Sequence, residues 1–182
     1  MTGRGEFHAE KAEEVISNSG VPFTIVRAAW FAQNFSEGAL LGPVMAGVLP
    51  MPAGDVREPI IDVDDIADVA VAALTEDGHS GELYEVTGPR LMTFADMAAE
   101  LSRAMGRTVQ YRPISFEDIH AEIAHANGEI IADVLTAIAR ETLDGRNANL
   151  ADGVQRALGR APRDFADFAH KAAISGVWTR AA

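Results

Sequence analysis

The 182-residue chain contains no cysteine, which excludes disulfide bonds, thiolate nucleophiles and zinc sites built on cysteine. Cationic residues are also few: 15 Lys and Arg stand against 27 Asp and Glu, for a net charge of −12. A phosphate backbone repels so acidic a chain, and we expect no nucleic-acid partner. Arg156, Arg160 and Arg163 form the one basic cluster, and this spacing predicts a solvated helix face.

Long apolar runs are missing as well. No stretch approaches the ~20 residues that cross a membrane, and the first residues lack the features of a signal peptide. We therefore expect a cytoplasmic protein with no membrane partner. A chain of 182 residues, 48% of them hydrophobic, suits a single domain with a well-buried core.

Several catalytic motifs are also absent. The sequence contains no Gly-x-Ser-x-Gly elbow, Walker loop or His-Glu-x-x-His motif. Residues 3–5 begin like a dinucleotide fingerprint, but the third glycine position holds His8 and no strand precedes it. His120 and His125 would lie about 140° apart around a helix, which favours surface or capping roles. We expect no metal site.

The apolar pattern predicts an α/β protein in which helices alternate with short strands. We expect a helix after Asn34 that kinks or breaks at Gly42-Pro43. Acidic residues 62–65 are interpreted as a helix cap rather than a metal site. Thr93 with Asp96 and Ser115 with Asp118 resemble capping boxes at the starts of two further helices. The predicted strands are 23–26, 60–61, 83–87 and 109–114. The predicted helices are 6–19, 66–74, 94–105, 116–126, 129–143 and 164–173.

The stretch 20–35 is the most informative part of the chain. A buried-type strand at 23–26 is followed by Arg27, Trp30 and an amide pair, and ligands of open α/β sheets lie outside the carboxyl ends of strands. These residues could form one wall of a pocket. Alternatively, the strand runs into an amphipathic helix whose aromatic residues are packed in the core.

His8 and Lys11 lie one turn apart on the first predicted helix. The pair is either part of a solvated charged face or a proton-handling pair beside a cofactor. The residues alone leave both interpretations open.

The sequence Ser-Gly-Val-Pro-Phe-Thr-Ile-Val-Arg at 19–27, followed by Trp30, Phe31 and residues 33–35, resembles the NmrA-like proteins. These are atypical members of the short-chain dehydrogenase/reductase superfamily, and the sequence is most similar to the branch of NAD(P)H-dependent quinone oxidoreductases. Further segments agree in order and spacing, namely 61–67, 81–88, 93–94 and 106–107.

The resemblance implies an α/β fold made of the C-terminal portion of a Rossmann-like parallel sheet with flanking helices and a small helical substrate lobe. Residues 1–90 would form the partial Rossmann-like half and residues 91–182 the mostly helical substrate lobe. The family's first strand and Gly-rich phosphate loop would lie upstream of where this chain starts. Without that loop, we expect the pyrophosphate of a dinucleotide to lack its usual binding site.

The resemblance also implies roles for individual residues. The loop after the strand would border NAD(P)H and substrate. The implied cofactor-binding residues are Arg27, Ala28, Trp30 and Phe31, and the implied substrate-binding residues are Gln33 and Asn34. His8 and Lys11 fall in the helix that carries the Tyr-x-x-x-Lys pair of ordinary short-chain reductases, and they are the catalytic candidates. Here the tyrosine is absent and the spacing is three residues.

Three functions follow from this resemblance. The chain could be a truncated relative of NAD(P)H-dependent quinone reductases that is weak or inactive alone, or a redox-sensing or regulatory binding module without turnover. The third is a half-fold completed by a second copy or by a complementary N-terminal chain, because a sheet that ends in its middle exposes an unpaired edge. We expect the isolated chain to form a homo-oligomer, a dimer, and to bind nucleotide poorly.

Overall fold

The computed structural model describes residues 7–179, without the side chains of Phe7 and His8. The helices in that part are α1 (Phe7–Ser17), α2 (Leu41–Ala46), α3 (Val63–Thr75), α4 (Phe94–Met105), α5 (Phe116–Asn127), α6 (Glu129–Thr142), α7 (Gly153–Leu158) and α8 (Phe165–Ser175). The strands are β1 (Ile25–Ala28), β2 (Val48–Met51), β3 (Arg57–Glu58), β4 (Leu83–Val86), β5 (Met92–Thr93) and β6 (Gln110–Pro113). A single 3₁₀ turn, Ala32–Phe35, follows β1.

The strands form three pairs. β1 runs parallel to β4 and β2 runs parallel to β6, whereas β3 and β5 are antiparallel. Beyond the last residue of β1, Phe31 and Ile61 form an isolated parallel β-bridge. The α/β class predicted from the sequence is confirmed. The division at residue 90 stays a prediction, and two of the strand pairs join residues from both sides of it.

The predicted helix caps are confirmed. The Asp62 carboxylate accepts a hydrogen bond from the N–H two residues on, at the start of α3. Thr93 with Asp96 and Ser115 with Asp118 form reciprocal capping boxes at α4 and α5. These interactions use groups within three residues of each other, so the local sequence is sufficient to specify them.

Two local predictions differ from the structure. Gly42-Pro43 does not break α2 but lies in its first turn, where a helix does not need the missing N–H of proline. The strand predicted at 60–61 is reduced to the bridge at Ile61, and the pairing lies earlier, at Arg57–Glu58.

The basic cluster is not one solvated helix face. Arg156 lies on α7 and pairs with Glu82, whereas Arg160 and Arg163 follow α7 and bind the buried Asp65 of α3. Spacing along the sequence could not show this, because the helix ends at Leu158 and the acidic partners are distant in the chain.

The core has two parts. The larger is centred on Phe35, Phe94 and Leu101, and Trp178 closes one side of it by donating its indole N–H to the Phe35 carbonyl at 2.9 Å. The smaller lies between α3, β4 and α7. No helix in residues 7–179 is long and apolar enough to cross a membrane.

Candidate functional site

A cavity of about 430 Å³ opens beside the carboxyl end of β1. One wall is the loop after β1, and the other is the end of α6 with the segment that follows it. The cavity is lined by Ala28, Ala29, Trp30, Phe31, Asn34, Ile138, Glu141, Thr142, Arg146 and Asn147. The structure thus brings together four of the six residues that the sequence assigns to cofactor and substrate.

The loop after β1 is held firmly. The Trp30 ring packs edge-on against Phe94, with ring centroids 5.6 Å apart. The Trp30 carbonyl accepts a hydrogen bond from the Ile61 N–H at 2.9 Å, and Ile61 in turn accepts one from Ala32 at 2.8 Å. Phe31 lies between these bonds and remains 43% exposed. The backbone is therefore fixed, while the Phe31 ring is available to a ligand. The interpretation of the stretch as core packing therefore applies to Trp30, and its interpretation as a pocket wall applies to Phe31.

The opposite wall supplies the polar groups. Glu141 contributes a carboxylate, Arg146 a guanidinium and Asn147 an amide. The Arg146 side chain donates to Asp144 at 2.8 Å, and this bond holds the pKa of the Asp144 carboxyl below its usual value. A cavity with an aromatic wall and a few polar groups at one side suits a flat ring with polar substituents.

Arg27 lies outside the cavity lining. Its guanidinium pairs with Glu13 of α1 and, at 3.3 Å, with Glu85 of β4. The hydrogen bonds to Glu13 are the main reason that the pKa of Arg27 is raised. The residue attaches α1 to the sheet.

Gln33 also lies outside the lining, although its neighbour Asn34 is part of it. The Gln33 amide donates to the Asp62 carboxylate at 2.7 Å, and its oxygen accepts from the Val63 N–H at 2.9 Å. Both bonds fix the amino end of α3 against the 3₁₀ turn, so the amide is engaged in positioning a helix.

The proposed catalytic pair lies on α1. The His8 side chain falls outside the described part of the chain. Lys11 is exposed and does not line the cavity, and Glu13, two residues further on, binds Arg27 instead. The structure does not place Lys11 beside the loop after β1.

Glu58 is a residue that the sequence argument missed. It is fully buried on β3, and neither carboxyl oxygen has a hydrogen-bond partner in the described residues. Burial, with a smaller effect of the Asp144 charge, raises its pKa from 4.5 to about 7. All residues from 58 to 62 are buried, so no alternating pattern in the sequence indicates the inward position of Glu58.

Comparison with known proteins gives consistent results. The sequence matches the NmrA-like family over residues 5–168. It is 36% identical over 169 residues to the NAD(P)H azoreductase of Xenophilus azovorans, covering 89% of this chain and 57% of that protein. It is 33% identical over 156 residues to the (4-alkanoyl-5-oxo-2,5-dihydrofuran-3-yl)methyl phosphate reductase of Streptomyces griseus, covering 86% of this chain and 55% of that protein.

Solved structures with the same fold include the NADPH-dependent quinone oxidoreductase QOR2 of Escherichia coli. Its TM-score is 0.78 at 24% identity, covering 90% of this chain and 60% of that one. The triphenylmethane reductase of Citrobacter sp., complexed with NADP(H), has a TM-score of 0.76 at 24% identity. The match covers 91% of this chain and 58% of that one. At this identity the likeness shows the fold alone, which is Rossmann-like. The chain spans about half the length of the curated relatives it matches. The chain belongs to the NmrA-like family.

Proposed function

We propose that these 182 residues form the nicotinamide and substrate side of an NAD(P)H-dependent oxidoreductase that reduces flat, conjugated acceptors such as quinones or azo compounds. The observation that carries this proposal is the cavity of about 430 Å³ that the loop after β1 lines at the carboxyl end of the strand. The 36% identity to an NAD(P)H azoreductase supports the same chemistry.

The lining residues fit a nicotinamide ring and a flat acceptor. Ala28 and Ala29 have small side chains that leave room for a ring against the backbone. Phe31 offers an aromatic face for stacking, and Asn34 offers an amide that can orient a polar substituent. When bound, the nicotinamide supplies the hydride. The chain's own residues hold the two rings together and exclude water from between them.

Proton handling by His8 and Lys11 stays a prediction. A quinone can take its protons from water after hydride transfer, so the reaction depends little on a positioned acid. In our proposal Lys11 is therefore dispensable for hydride transfer, in keeping with its absence from the cavity lining.

These 182 residues contain no Gly-rich phosphate loop, so in this proposal the phosphates of the cofactor are bound by further residues. Within residues 7–179, β1 pairs with β4 alone. Exposed Leu74 lines a second cavity of about 430 Å³ at the amino end of β1, and exposed Val21 directly precedes the lining residue Pro22. These features favour a further βα layer on the free edge of β1, from the same protein or from a complementary chain. The 182 residues alone are then weak or inactive.

Titration with NADPH, followed by the fluorescence of Trp30 and Trp178, tests this proposal. We expect weak binding by the 182 residues, and saturable binding with quinone-dependent NADPH oxidation once the phosphate-binding part is supplied. Phe31→Ala should reduce that oxidation. Micromolar or tighter binding by the 182 residues would contradict the need for residues beyond them, whereas no oxidation by the completed protein would contradict the reductase assignment.

A redox-sensing module is the second candidate function. The residues that line the cavity in the described part of the chain include no tyrosine, histidine or lysine that could donate a proton. For acceptors that need a positioned acid, unlike quinones, this observation favours nucleotide binding without turnover. A sensor would bind NAD(P)H in its completed form and leave it unoxidised with quinone and azo acceptors alike.

A further inference from the structure

Helix α6 turns an apolar side away from the protein. Five large side chains on it are between 42% and 81% exposed, whereas its buried residues are the small Ala132 and Thr136. We call these five residues the α6 face; they are Ile130, Ile131, Val134, Leu135 and Ile138. An exposed apolar surface of this extent marks an interaction site.

The burial of Ala132 and Thr136, together with two side-chain contacts to α5, sets the rotation of α6 about its axis. Asp133 accepts from His120 of α5 at 2.9 Å, and Arg140 donates to Glu117 of α5 at 2.7 Å. The Arg140 guanidinium also lies over the Phe116 ring, 4.4 Å from its centroid. Because the charged side of α6 is bound to α5, the apolar side points outward as part of the native arrangement.

We propose that the α6 face is a homodimer interface, in which α6 of two copies packs antiparallel about a two-fold axis near Val134 and Leu135. The spacing supports this symmetry. Reversing the helix about the midpoint of those two residues exchanges Ile131 with Ile138, so the face is complementary to itself. The separations of three and four residues between apolar positions are those with which helices interdigitate.

The charge on this side of α6 selects the antiparallel direction. Glu141 follows Ile138 by three residues, so it lies on the same side at the carboxyl end. In a parallel pair, the two Glu141 carboxylates would face each other. In an antiparallel pair, each lies opposite the amino-terminal turn of α6 in the second copy, where the positive end of the helix dipole attracts negative charge and is shared with Glu129 of that turn.

The area of the α6 face sets the expected strength of the dimer. Five partly exposed side chains supply apolar area on the order of a few hundred Å², below the ~800 Å² per partner of a standard interface. We therefore expect a weak dimer that forms only at raised protein concentration. Because each chain carries a charge of −12, repulsion between copies opposes association, and added salt strengthens the dimer.

The dimer also completes the cavity beside β1. Ile138 belongs both to the α6 face and to the cavity lining, so the second copy covers the open side of the cavity there. This surface differs from the free edge of β1. The apolar residues of the second cavity lie at the amino end of β1, whereas Ile138 lies beside residues at its carboxyl end.

The absence of cysteine permits a direct test by cross-linking. In an antiparallel dimer Ile131 lies opposite Ile138, whereas the two copies of Ile131 are about 10 Å apart along the axis, too far for a disulfide. We expect a mixture of the Ile131→Cys and Ile138→Cys proteins to form linked dimers under oxidation, and neither protein to do so alone. The Ile174→Cys protein is the control, because Ile174 is 74% exposed on α8 and belongs to neither proposed contact surface. Equal linking of each protein with itself would contradict the antiparallel arrangement.

Sedimentation of the cysteine-free chain over a range of concentration and salt provides the second test. We expect Val134→Lys combined with Leu135→Lys to weaken the dimer at least about 100-fold, because it buries like charges at the centre of the interface. Ile174→Lys should leave association unchanged, and circular dichroism of both variants checks that they fold. A chain that stays monomeric at millimolar concentration, or a dimer that the double variant leaves intact, would overturn the proposal. In either case another partner would cover the α6 face.

Discussion

Trp30 and Phe94 pack edge-to-face, with their ring planes at 87°, so the cavity wall is anchored directly on the first turn of α4. Phe94 is fully buried, and Trp30 is partly buried against the same core. The neighbouring Phe31 makes no such ring contact with the described side chains, and it faces the cavity. One aromatic residue therefore holds the wall and the next is available to bind.

Substitution of each residue separates these two roles. Trp30→Ala should lower the free energy of unfolding by about 2–4 kcal/mol, because it removes a partly buried indole and its ring contact. Phe31→Ala should lower it by less than about 1 kcal/mol but weaken ligand binding in the cavity. Urea unfolding and ligand titration of both variants provide the measurements. Equal losses of stability would show that Phe31 is a packing residue.

The Glu58 carboxyl should make stability depend on pH. Its pKa is raised from 4.5 to about 7, so between these values the folded chain holds a proton that the unfolded chain has lost. The contribution of Glu58 to the free energy of unfolding is therefore greatest below pH 4.5, and it decreases as the pH rises to about 7. At about 1.4 kcal/mol for each pH unit, the total decrease is about 3 kcal/mol.

Glu58→Gln removes this titration, so unfolding by urea at several pH values should show that the variant gains stability relative to the parent chain between pH 4.5 and 7. Asp144→Asn is a matched control. The charge of Asp144 contributes to the raised pKa, so its loss should lower the pKa of Glu58 slightly. A constant difference between Glu58→Gln and the parent chain across this range would contradict a buried, titrating carboxyl.

The contact of Asp65 with the segment after α7 should be worth more than an ordinary surface ion pair. The Asp65 carboxylate is fully buried, accepts a hydrogen bond from the Arg163 backbone N–H at 2.7 Å and forms an ion pair with the Arg160 guanidinium at 2.7 Å. Asp65→Ala should destabilise the chain by about 3 kcal/mol, because two arginines lose a buried partner. Asp68→Asn is the control, since Asp68 is 45% exposed and its pairs should be worth about 1 kcal/mol or less. Urea unfolding compares the two, and similar losses would show that burial of Asp65 adds nothing.

The contact between α7 and β4 depends on a glycine. A Cβ at Gly153 would lie 2.2 Å from the Glu85 carbonyl oxygen, whereas a Cβ at Gly42 meets nothing within 4 Å. Gly153→Ala should therefore destabilise the chain by at least about 2 kcal/mol, because the backbone must move. Gly42→Ala, also in the first turn of a helix, should be neutral or slightly stabilising. Thermal unfolding distinguishes them, and a neutral Gly153→Ala would show that α7 can shift away from the sheet.

The sequence predicted the interactions that form between near neighbours. The caps at Asp62, Thr93 and Ser115 follow from side chains two or three residues from their backbone partners. The position of the cavity wall after β1 followed from the rule that ligands lie at the carboxyl ends of strands. Gln33 shows the limit of that rule, because its partners lie about 30 residues away at the start of α3.

The sequence by itself determined the α/β class, the helix caps and the family, because these depend on local periodicity, short-range hydrogen bonds and motifs in order. Only the tertiary structure decided which side of α6 is buried and which partner each arginine takes. Amphipathic spacing identifies the apolar side of α6 but not its neighbour, and here the burial of Ala132 and Thr136, together with the contacts to α5, turns that side outward. The burial of Glu58 was decided in the same way, because the side chains that surround a residue come from distant parts of the chain.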